Sequence, residues 1–172
     1  MISKIKENIW RLKFKRFGSY VYLIKLKEKN ILIDTGALWN RSEILEDLEE
    51  LKLTPEDIHI LILTHNHPDH IGNISLFLNS KVYGSEKDFG KNLLDPKKLK
   101  IKELKIIETP GHSKGGICIL YKDVLFSGDT LFHRNTLGRT DLPGSSEKEM
   151  QESLKKIAKI KFKTLCPGHG YE

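Results

Sequence analysis

Residues 58–70 read IHILILTHNHPDH, and this stretch decides both the fold class and the chemistry. Its first six residues form a dense apolar run, which is typical of a strand covered on both faces. The run ends in a segment that carries four metal-binding side chains: His65, His67, Asp69 and His70. Histidines two residues apart point the same way on an extended segment. Pro68 can start a helix, and the two side chains after it then point elsewhere. One short segment can therefore face two neighbouring metal ions.

Three further candidates follow later apolar runs, namely His112 in PGHS, Asp129 in GDT and His169 in PGHG. Imidazole and carboxylate groups are ligands for zinc, iron and manganese, and each oxygen of Asp129 can serve one ion. A buried group of histidines and carboxylates without metal would be costly to desolvate. The sequence therefore predicts a metal site. His59 and His133 stand outside these motifs, and we expect ordinary surface or core roles for them.

The apolar periodicities predict a layered α/β domain with sheets between outer helices. Strands are expected over residues 10–14, 20–26, 31–33, 58–63, 81–83, 104–107, 117–121, 124–126 and 162–165. One helix is expected over 85–94, and two more follow capping boxes formed by Asn40 with Glu43 and by Ser146 with Glu149. The expected buried faces of these two helices are Ile44, Leu45, Leu48 and Leu51, and Met150, Leu154, Ile157 and Ala158.

Composition narrows the class of protein. The 172 residues suit one domain, and 38% hydrophobic with 30% charged residues is ordinary for a globular protein. No apolar run approaches the roughly 18 residues that span a bilayer, and the N-terminus lacks the apolar region of a secretory signal, so a cytoplasmic protein is expected. The net charge of +6 comes from scattered lysines, so nucleic acid is not the expected partner. Cys118 and Cys166 share no close spacing and imply no disulfide.

Taken together, THNHPDHIGN, PGHSKGG, FSGDTLF and CPGHG resemble the ordered motifs of the metallo-β-lactamase superfamily. Asp34 in LIDTG matches the aspartate that follows an early strand in that family. GDTLF followed by GRTDLPG resembles the glyoxalase II-like branch, which contains the hydroxyacylglutathione hydrolases. Persulfide dioxygenases share much of this pattern.

The resemblance implies a four-layer αβ/βα sandwich over a single domain, residues 1–172, with two divalent metal ions. Zinc is the first expectation for both ions, and iron and manganese fit the same ligand types. In this interpretation Asp34 does not bind metal itself but contacts a residue that does. The implied ligands are His65, His67 and His112 for one ion, Asp69, His70 and His169 for the other, and Asp129 between them.

The implied reaction is hydrolysis of a small thioester or ester by a metal-bridging hydroxide that Asp69 orients. Arg139 is a candidate for binding a substrate carboxylate, although an ion pair with Asp141 is an equal alternative. His133 is a candidate proton donor. The sequence ends two residues after Gly170, so we expect it to lack the C-terminal helical extension that helps hydroxyacylglutathione hydrolases hold glutathione. The acyl group and the thiol carrier stay open.

Three other functions remain compatible with the sequence. A persulfide dioxygenase would hold one iron with His65, His112 and Asp129. A nuclease of the same superfamily would need a basic platform for nucleic acid. A non-enzymatic metal-binding module would gain stability from metal without turning over any substrate.

Overall fold

A computed structural model describes residues 1–170 as a mixed α/β structure with two β-sheets, which confirms the fold class predicted from the sequence. The chain divides into two compact units, each with one sheet. The first unit comprises residues 1–63 and 67–83, and the second comprises residues 64–66 and the chain from 84 onward. A single domain over residues 1–172 stays a prediction.

The first unit contains a six-stranded sheet in simple sequential order. The first four strands pair antiparallel, and β5 and β6 continue the sheet in parallel. Strands β3 and β4 form the hairpin that the sequence predicts from the apolar runs on either side of the polar turn at residues 27–30. The strands are β1 Ile2–Lys6, β2 Ile9–Leu12, β3 Val21–Lys25, β4 Asn30–Ile33, β5 Ile58–Ile62 and β6 Lys81–Tyr83.

Helix α1, Arg41–Glu50, differs from its sequence prediction at its start and on one face. Asn40 does precede the helix, but its side-chain oxygen accepts from the Ala37 amide 2.9 Å away. The Glu43 carboxylate accepts from the Lys15 amide instead, so the predicted capping box is wrong. Leu45 is 38% exposed and lies off the buried face. Helix α2, Pro68–Ile71, begins at the proline as predicted.

The second unit contains a four-stranded sheet in the order β10-β9-β8-β7, in which only β10 and β9 pair in parallel. Its strands are β7 Leu104–Glu108, β8 Ile117–Tyr121, β9 Val124–Gly128 and β10 Thr164–Pro167. Its helices are α3 Glu86–Phe89 and α4 Glu147–Ile157. The helix expected over 85–94 is short because the backbone at Gly90 turns to φ +62° and a 3₁₀ turn follows.

Helix α4 begins where its sequence predicts, but only half of the predicted capping box forms: the Ser146 hydroxyl accepts from the Glu149 amide at 3.3 Å, whereas the Ser146 amide donates to the Gly111 carbonyl at 2.7 Å. Its buried face is Met150, Ser153 and Ile157, whereas Ala158 is exposed, which corrects the predicted face. Ser153 can occupy that buried position because its hydroxyl donates to the Pro110 carbonyl at 2.7 Å.

Both cysteines are buried as free thiols. Burial raises the pKa of the Cys118 thiol to about 11, so this side chain is a small apolar residue in a strand and not a nucleophile. Among the helices within residues 1–170, none has the length and apolar character needed to cross a membrane.

Candidate metal centre

The second unit places three predicted ligands in loops that follow its strands. His112 lies four residues beyond the end of β7, Asp129 directly follows β9, and His169 is the second residue after β10. Because β9 and β10 run parallel, their carboxyl ends lie side by side. The Gly168 amide donates to the Gly128 carbonyl at 2.7 Å and ties these two loops together.

The side chains of this unit converge on one carboxylate oxygen. Asp129 Oδ2 lies 3.5 Å from Nε2 of His112 and also 3.5 Å from Nε2 of His169. Both distances exceed the usual range for an N–H···O hydrogen bond. Two ligands on one tetrahedral zinc at bond lengths of about 2.0–2.1 Å are about 3.4 Å apart. The spacing therefore fits donors arranged around an ion, and one oxygen serves both histidines.

His65 completes this group in the second unit. Its ring packs edge-on against the His112 ring, with 5.0 Å between centroids and 78° between planes. A ligand atom of His65 also lies within 4.8 Å of one from Asp129 and one from His112. His65 and His112 are both buried, which limits competition from solvent for their donor atoms.

Hydrogen bonds at Nδ1 orient two of these rings. Nδ1 of His112 lies 2.8 Å from the Arg139 carbonyl oxygen, which can only accept, so this nitrogen carries the proton. Nδ1 of His65 lies 3.0 Å from the Thr64 hydroxyl. An outer partner that fixes one ring nitrogen leaves the other to bind metal. Nε2 is therefore the His112 nitrogen that is available to bind metal.

The loop that carries the Arg139 carbonyl runs very close to the ligands. A Cβ atom at Gly138 would lie 1.8 Å from the Asp129 carbonyl oxygen and 3.0 Å from Nδ1 of His112. Real Cβ atoms essentially never make contacts under 3.0 Å, so only glycine fits there. Gly138 thus allows the backbone to reach His112.

The first unit holds the other three predicted ligands on one turn. His67 precedes helix α2, and Asp69 and His70 lie within it. His70 is fully buried, and its Nε2 lies 3.9 Å from Oδ2 of Asp69. The proline at the first helical position ends the extended segment, which gives His67 a different setting from the two residues inside the helix.

Asp34 orients His70 from the turn after β4. Its Oδ2 lies 2.8 Å from Nδ1 of His70, and both side chains are buried. The backbone of the same turn is bonded to α2, because the Thr35 amide and hydroxyl both donate to the His70 carbonyl, at 2.6 and 3.0 Å. The Asn73 side chain donates in turn to the Thr35 carbonyl at 2.9 Å.

The remaining candidates lie in ordinary surface positions. His59 is exposed on β5, and its Nδ1 accepts from the Asn30 amide at 3.2 Å. His133 is exposed at the start of a 3₁₀ turn. The Arg139 guanidinium donates to both carboxylate oxygens of Asp141, at 2.9 and 2.8 Å, and these bonds lower the pKa of Asp141 to about 2. The ion pair considered as the alternative for Arg139 is thus formed.

Sequence reasoning missed the groups that contact the predicted ligands or the residues next to them: Thr64, Gly138, the carbonyl of Arg139, and Asp88. Thr64 was discoverable, because it stands directly between an apolar strand and the first histidine. A backbone carbonyl gives no sequence signal of its own. Asp88 is one acidic residue in a mixed-charge stretch, and nothing in its local pattern separates it from its neighbours.

Several proteins of known class are similar to this chain. It is 43% identical to a probable metallo-hydrolase of Methanocaldococcus jannaschii over 81% of this chain and 70% of that protein. It is 36% identical to hydroxyacylglutathione hydrolase 1 of Vibrio vulnificus over 85% of this chain, but it spans only 59% of that protein's length. A probable polyketide biosynthesis zinc-dependent hydrolase of Bacillus subtilis is 28% identical over 94% of the chain and 77% of that protein.

Solved structures support the fold. A metallo-beta-lactamase family protein from Thermus thermophilus superposes with a TM-score of 0.81 at 21% identity, over 98% of this chain and 75% of that one. The protein TTHA1623, solved in a di-iron-bound form, gives a TM-score of 0.73 at 27% identity, over 89% and 88% of the two chains. The family model of the metallo-beta-lactamase superfamily matches residues 15–87 and 80–169. This chain therefore belongs to the metallo-beta-lactamase superfamily.

Proposed function

We propose that this protein is a metal-dependent hydrolase that cleaves a small thioester or ester. The observation that carries the proposal is the position of Asp129 Oδ2, 3.5 Å from Nε2 of both His112 and His169. A carboxylate oxygen shared by two histidines from different loops suits a bridge between two cations. Structural zinc sites instead close around one ion with four protein ligands.

The proposed centre holds two divalent cations, and zinc is the first choice. The donor set contains only imidazole nitrogens and carboxylate oxygens, which zinc, iron and manganese all accept. One similar protein is named as zinc-dependent and another was solved with two irons, so both metals belong in the test. By the family pattern His65, His67 and His112 would hold one cation, Asp69, His70 and His169 would hold the other, and Asp129 would serve both.

When bound, such a pair of cations supplies Lewis acidity, which makes a water molecule acidic near neutral pH and polarises a carbonyl oxygen. The protein's own part is to hold its ligands still. The Thr64 hydroxyl, the Arg139 carbonyl and the Asp34 carboxylate each fix Nδ1 of a histidine. Ligand rings that are already oriented need no reorganisation when charge develops.

Asp69 has a second task in the proposed reaction. Its side chain is about one-fifth exposed, while His70 beside it is fully buried. One carboxylate oxygen of Asp69 would accept a hydrogen bond from the attacking water and aim its lone pair at the carbonyl carbon. A positioned carboxylate of this kind contributes by orientation as well as by proton transfer.

The leaving group favours a thioester. A thiolate needs little protonation on departure, because its conjugate acid has a pKa of only about 8.5. His133 is an exposed candidate for the proton donor that an alcohol would need. The sequence GDTLF followed by GRTDLPG and the similarity to a hydroxyacylglutathione hydrolase both support a glyoxalase II-like substrate.

The decisive experiment combines elemental analysis with a substrate panel. The purified protein is loaded separately with zinc, iron or manganese and assayed on short-chain thioesters, S-lactoylglutathione, lactones and a phosphodiester. Thiol release is followed by a chromogenic disulfide, with Asp129→Ala as the inactive control. We expect close to two metal ions per chain and turnover on at least one thioester or ester.

Other outcomes would replace the proposal. One tightly bound iron together with oxygen uptake and sulfite formation from a persulfide would identify a dioxygenase. Cleavage confined to RNA or DNA would identify a nuclease. Metal-dependent stabilisation with no turnover on any substrate would leave a metal-binding module.

A further inference from the structure

Asp88 lies in helix α3 and accepts hydrogen bonds from two loops of the second unit. Its Oδ1 accepts from the Gly115 amide at 2.6 Å. Its Oδ2 accepts from the Ser113 hydroxyl at 2.8 Å and from the Asn66 amide at 3.2 Å. The carboxylate therefore uses both oxygens, and its donors come from chain segments more than 20 residues away in either direction.

The backbone of Asp88 strengthens the link to one of these loops. Its carbonyl accepts from the Asn66 side-chain amide at 3.0 Å, in addition to the bond between the Asn66 backbone and the carboxylate. Asn66 is thus held at both its main chain and its side chain. Helix α3 is itself capped, because the Ser85 hydroxyl accepts from the Lys87 amide.

The bonded residues are the immediate neighbours of proposed metal ligands. Asn66 stands between His65 and His67 in the chain, and Ser113 directly follows His112. His65 and His112 come from different loops, yet their rings meet with centroids 5.0 Å apart. A single carboxylate that bonds the residue beside each of them fixes the spacing of the two loops.

The sequence is fitted to this contact at Gly115. A Cβ atom there would lie 2.8 Å from Asp88 Cγ, Oδ1 and amide nitrogen alike. Because two of these atoms belong to the carboxylate and one to the helix backbone, a side chain at 115 would push the loop away from α3. Close approach of the loop thus depends on glycine.

We propose that Asp88 is a positioning residue that sets the distance between the loop of His65 and the loop of His112. Asp88 is in none of the groups of described side chains that could hold a metal ion, and both its oxygens accept from these loops. It acts through Asn66 and Ser113 on the histidines beside them. The inference rests on the proposed metal centre, and it does not depend on which substrate is cleaved.

The test uses Asp88→Asn, which keeps the size of the side chain and removes one acceptor. An amide nitrogen cannot accept, so whichever way Asn turns, the backbone N–H of either Gly115 or Asn66 loses its partner. Asp95→Asn is the matched control, because Asp95 also accepts from a backbone amide, that of Lys97 at 2.9 Å, in a 3₁₀ turn of the same unit.

Three measurements on the full chain separate positioning from folding. Metal affinity is measured by chelator competition, coordination geometry by the electronic spectrum of the cobalt-loaded protein, and folding by the thermal midpoint of the metal-free form. For Asp88→Asn we expect metal affinity to fall about tenfold or more, within the range found for partners behind metal ligands. The cobalt spectrum should change as well, and kcat should fall more than KM rises. Asp95→Asn should stay within about twofold in affinity with an unchanged spectrum.

Ser113→Ala provides a second, smaller perturbation if Asp88→Asn lowers the thermal midpoint more than the control does. It removes one bond to Asp88 and leaves both amide bonds in place, so a smaller change of the same spectral kind is expected. Wild-type metal affinity and an unaltered cobalt spectrum in Asp88→Asn would overturn the proposal. If Asp88→Asn is destabilised, the same result in Ser113→Ala would overturn it. Failure of every thioester in the wild-type panel would defeat the proposed function alone, because these readouts need no substrate.

Discussion

Asp34 offers the sharpest test of how the fold supports the proposed metal ligands, because its one side chain can be altered in two graded steps. Its carboxylate contacts Nδ1 of His70 at 2.8 Å in a fully buried setting. Its backbone has φ +60°, a left-handed conformation that asparagine adopts more readily than most residues. Asp34→Asn therefore keeps the backbone and an acceptor oxygen but removes the charge. Asp34→Ala removes the acceptor too.

The expected magnitudes follow from these losses. A charge-assisted hydrogen bond is roughly twice as strong as a neutral one, so Asp34→Asn should weaken metal binding about tenfold, or about 1.4 kcal/mol. Asp34→Ala leaves Nδ1 of a buried ring without its acceptor and should weaken binding about 100-fold. The alanine variant also loses about 1–3 kcal/mol of stability from the unsatisfied donor, with backbone strain in addition.

Chelator competition with the zinc-loaded protein measures the affinities, and thermal unfolding of metal-free samples measures the stability. Asp57→Asn is the control, since its exposed carboxylate accepts from the Thr54 amide at 2.8 Å in the same unit. The control should bind metal like the wild type. The reasoning fails if Asp34→Ala keeps wild-type affinity, or if it and Asp57→Asn weaken binding equally.

Five further substitutions, in three tests, examine the rest of the site. His112→Ala and Asp129→Ala should each lower hydrolysis by at least about 100-fold. The circular dichroism spectrum should stay unchanged, because both residues lie in loops beyond the strands. Near-normal turnover in either variant would show that the proposed metal centre is wrong. Gly138→Ala should lower activity at least about tenfold and should also lower the thermal midpoint, because the added Cβ would collide with the Asp129 carbonyl. Native activity in this variant would show that the loop can move to accommodate the side chain. If Arg139 binds a substrate carboxylate, Asp141→Asn should lower KM for carboxylate-bearing substrates only, because it releases the guanidinium of Arg139. Arg139→Ala should raise KM for the same substrates. Equal effects on neutral esters would contradict this role.

Local pattern predicted most of the fold correctly because apolar runs in this chain follow the period of the element that they form. The β3–β4 hairpin and strands β6 and β8 agree closely with the expected segments. One error arose because a residue distant in the sequence formed the hydrogen bond that the prediction had given to a neighbouring residue. The Glu43 carboxylate does not cap its own helix, because it accepts a hydrogen bond from the Lys15 amide. Leu45 has the right spacing for a buried face, yet it is 38% exposed, whereas the buried residues of the helix are Ile44, Asp47 and Leu48.

The sequence marks the candidate site for a different reason. Each proposed ligand stands in a short motif with an adjacent proline or glycine or with another proposed ligand within two positions, so sequence alone marks it. The groups behind the ligands carry no such mark. The Arg139 carbonyl is backbone, and the role of Asp88 depends on donors 22 to 27 positions away. Such long-range partners become visible only once the fold has brought them together.

Three of the histidines proposed as ligands have a described Nδ1 partner, and the three partners differ in their strength as acceptors. His65 has a hydroxyl, His112 has a backbone carbonyl, and His70 has a buried carboxylate. A carboxylate partner raises the basicity of an imidazole ligand more than a neutral acceptor does. In the proposed assignment His70 belongs to one cation, and His65 and His112 belong to the other. The His70 cation should therefore be the last to leave during chelation, and Asp34→Asn should reduce that difference by weakening the stronger of the two positions.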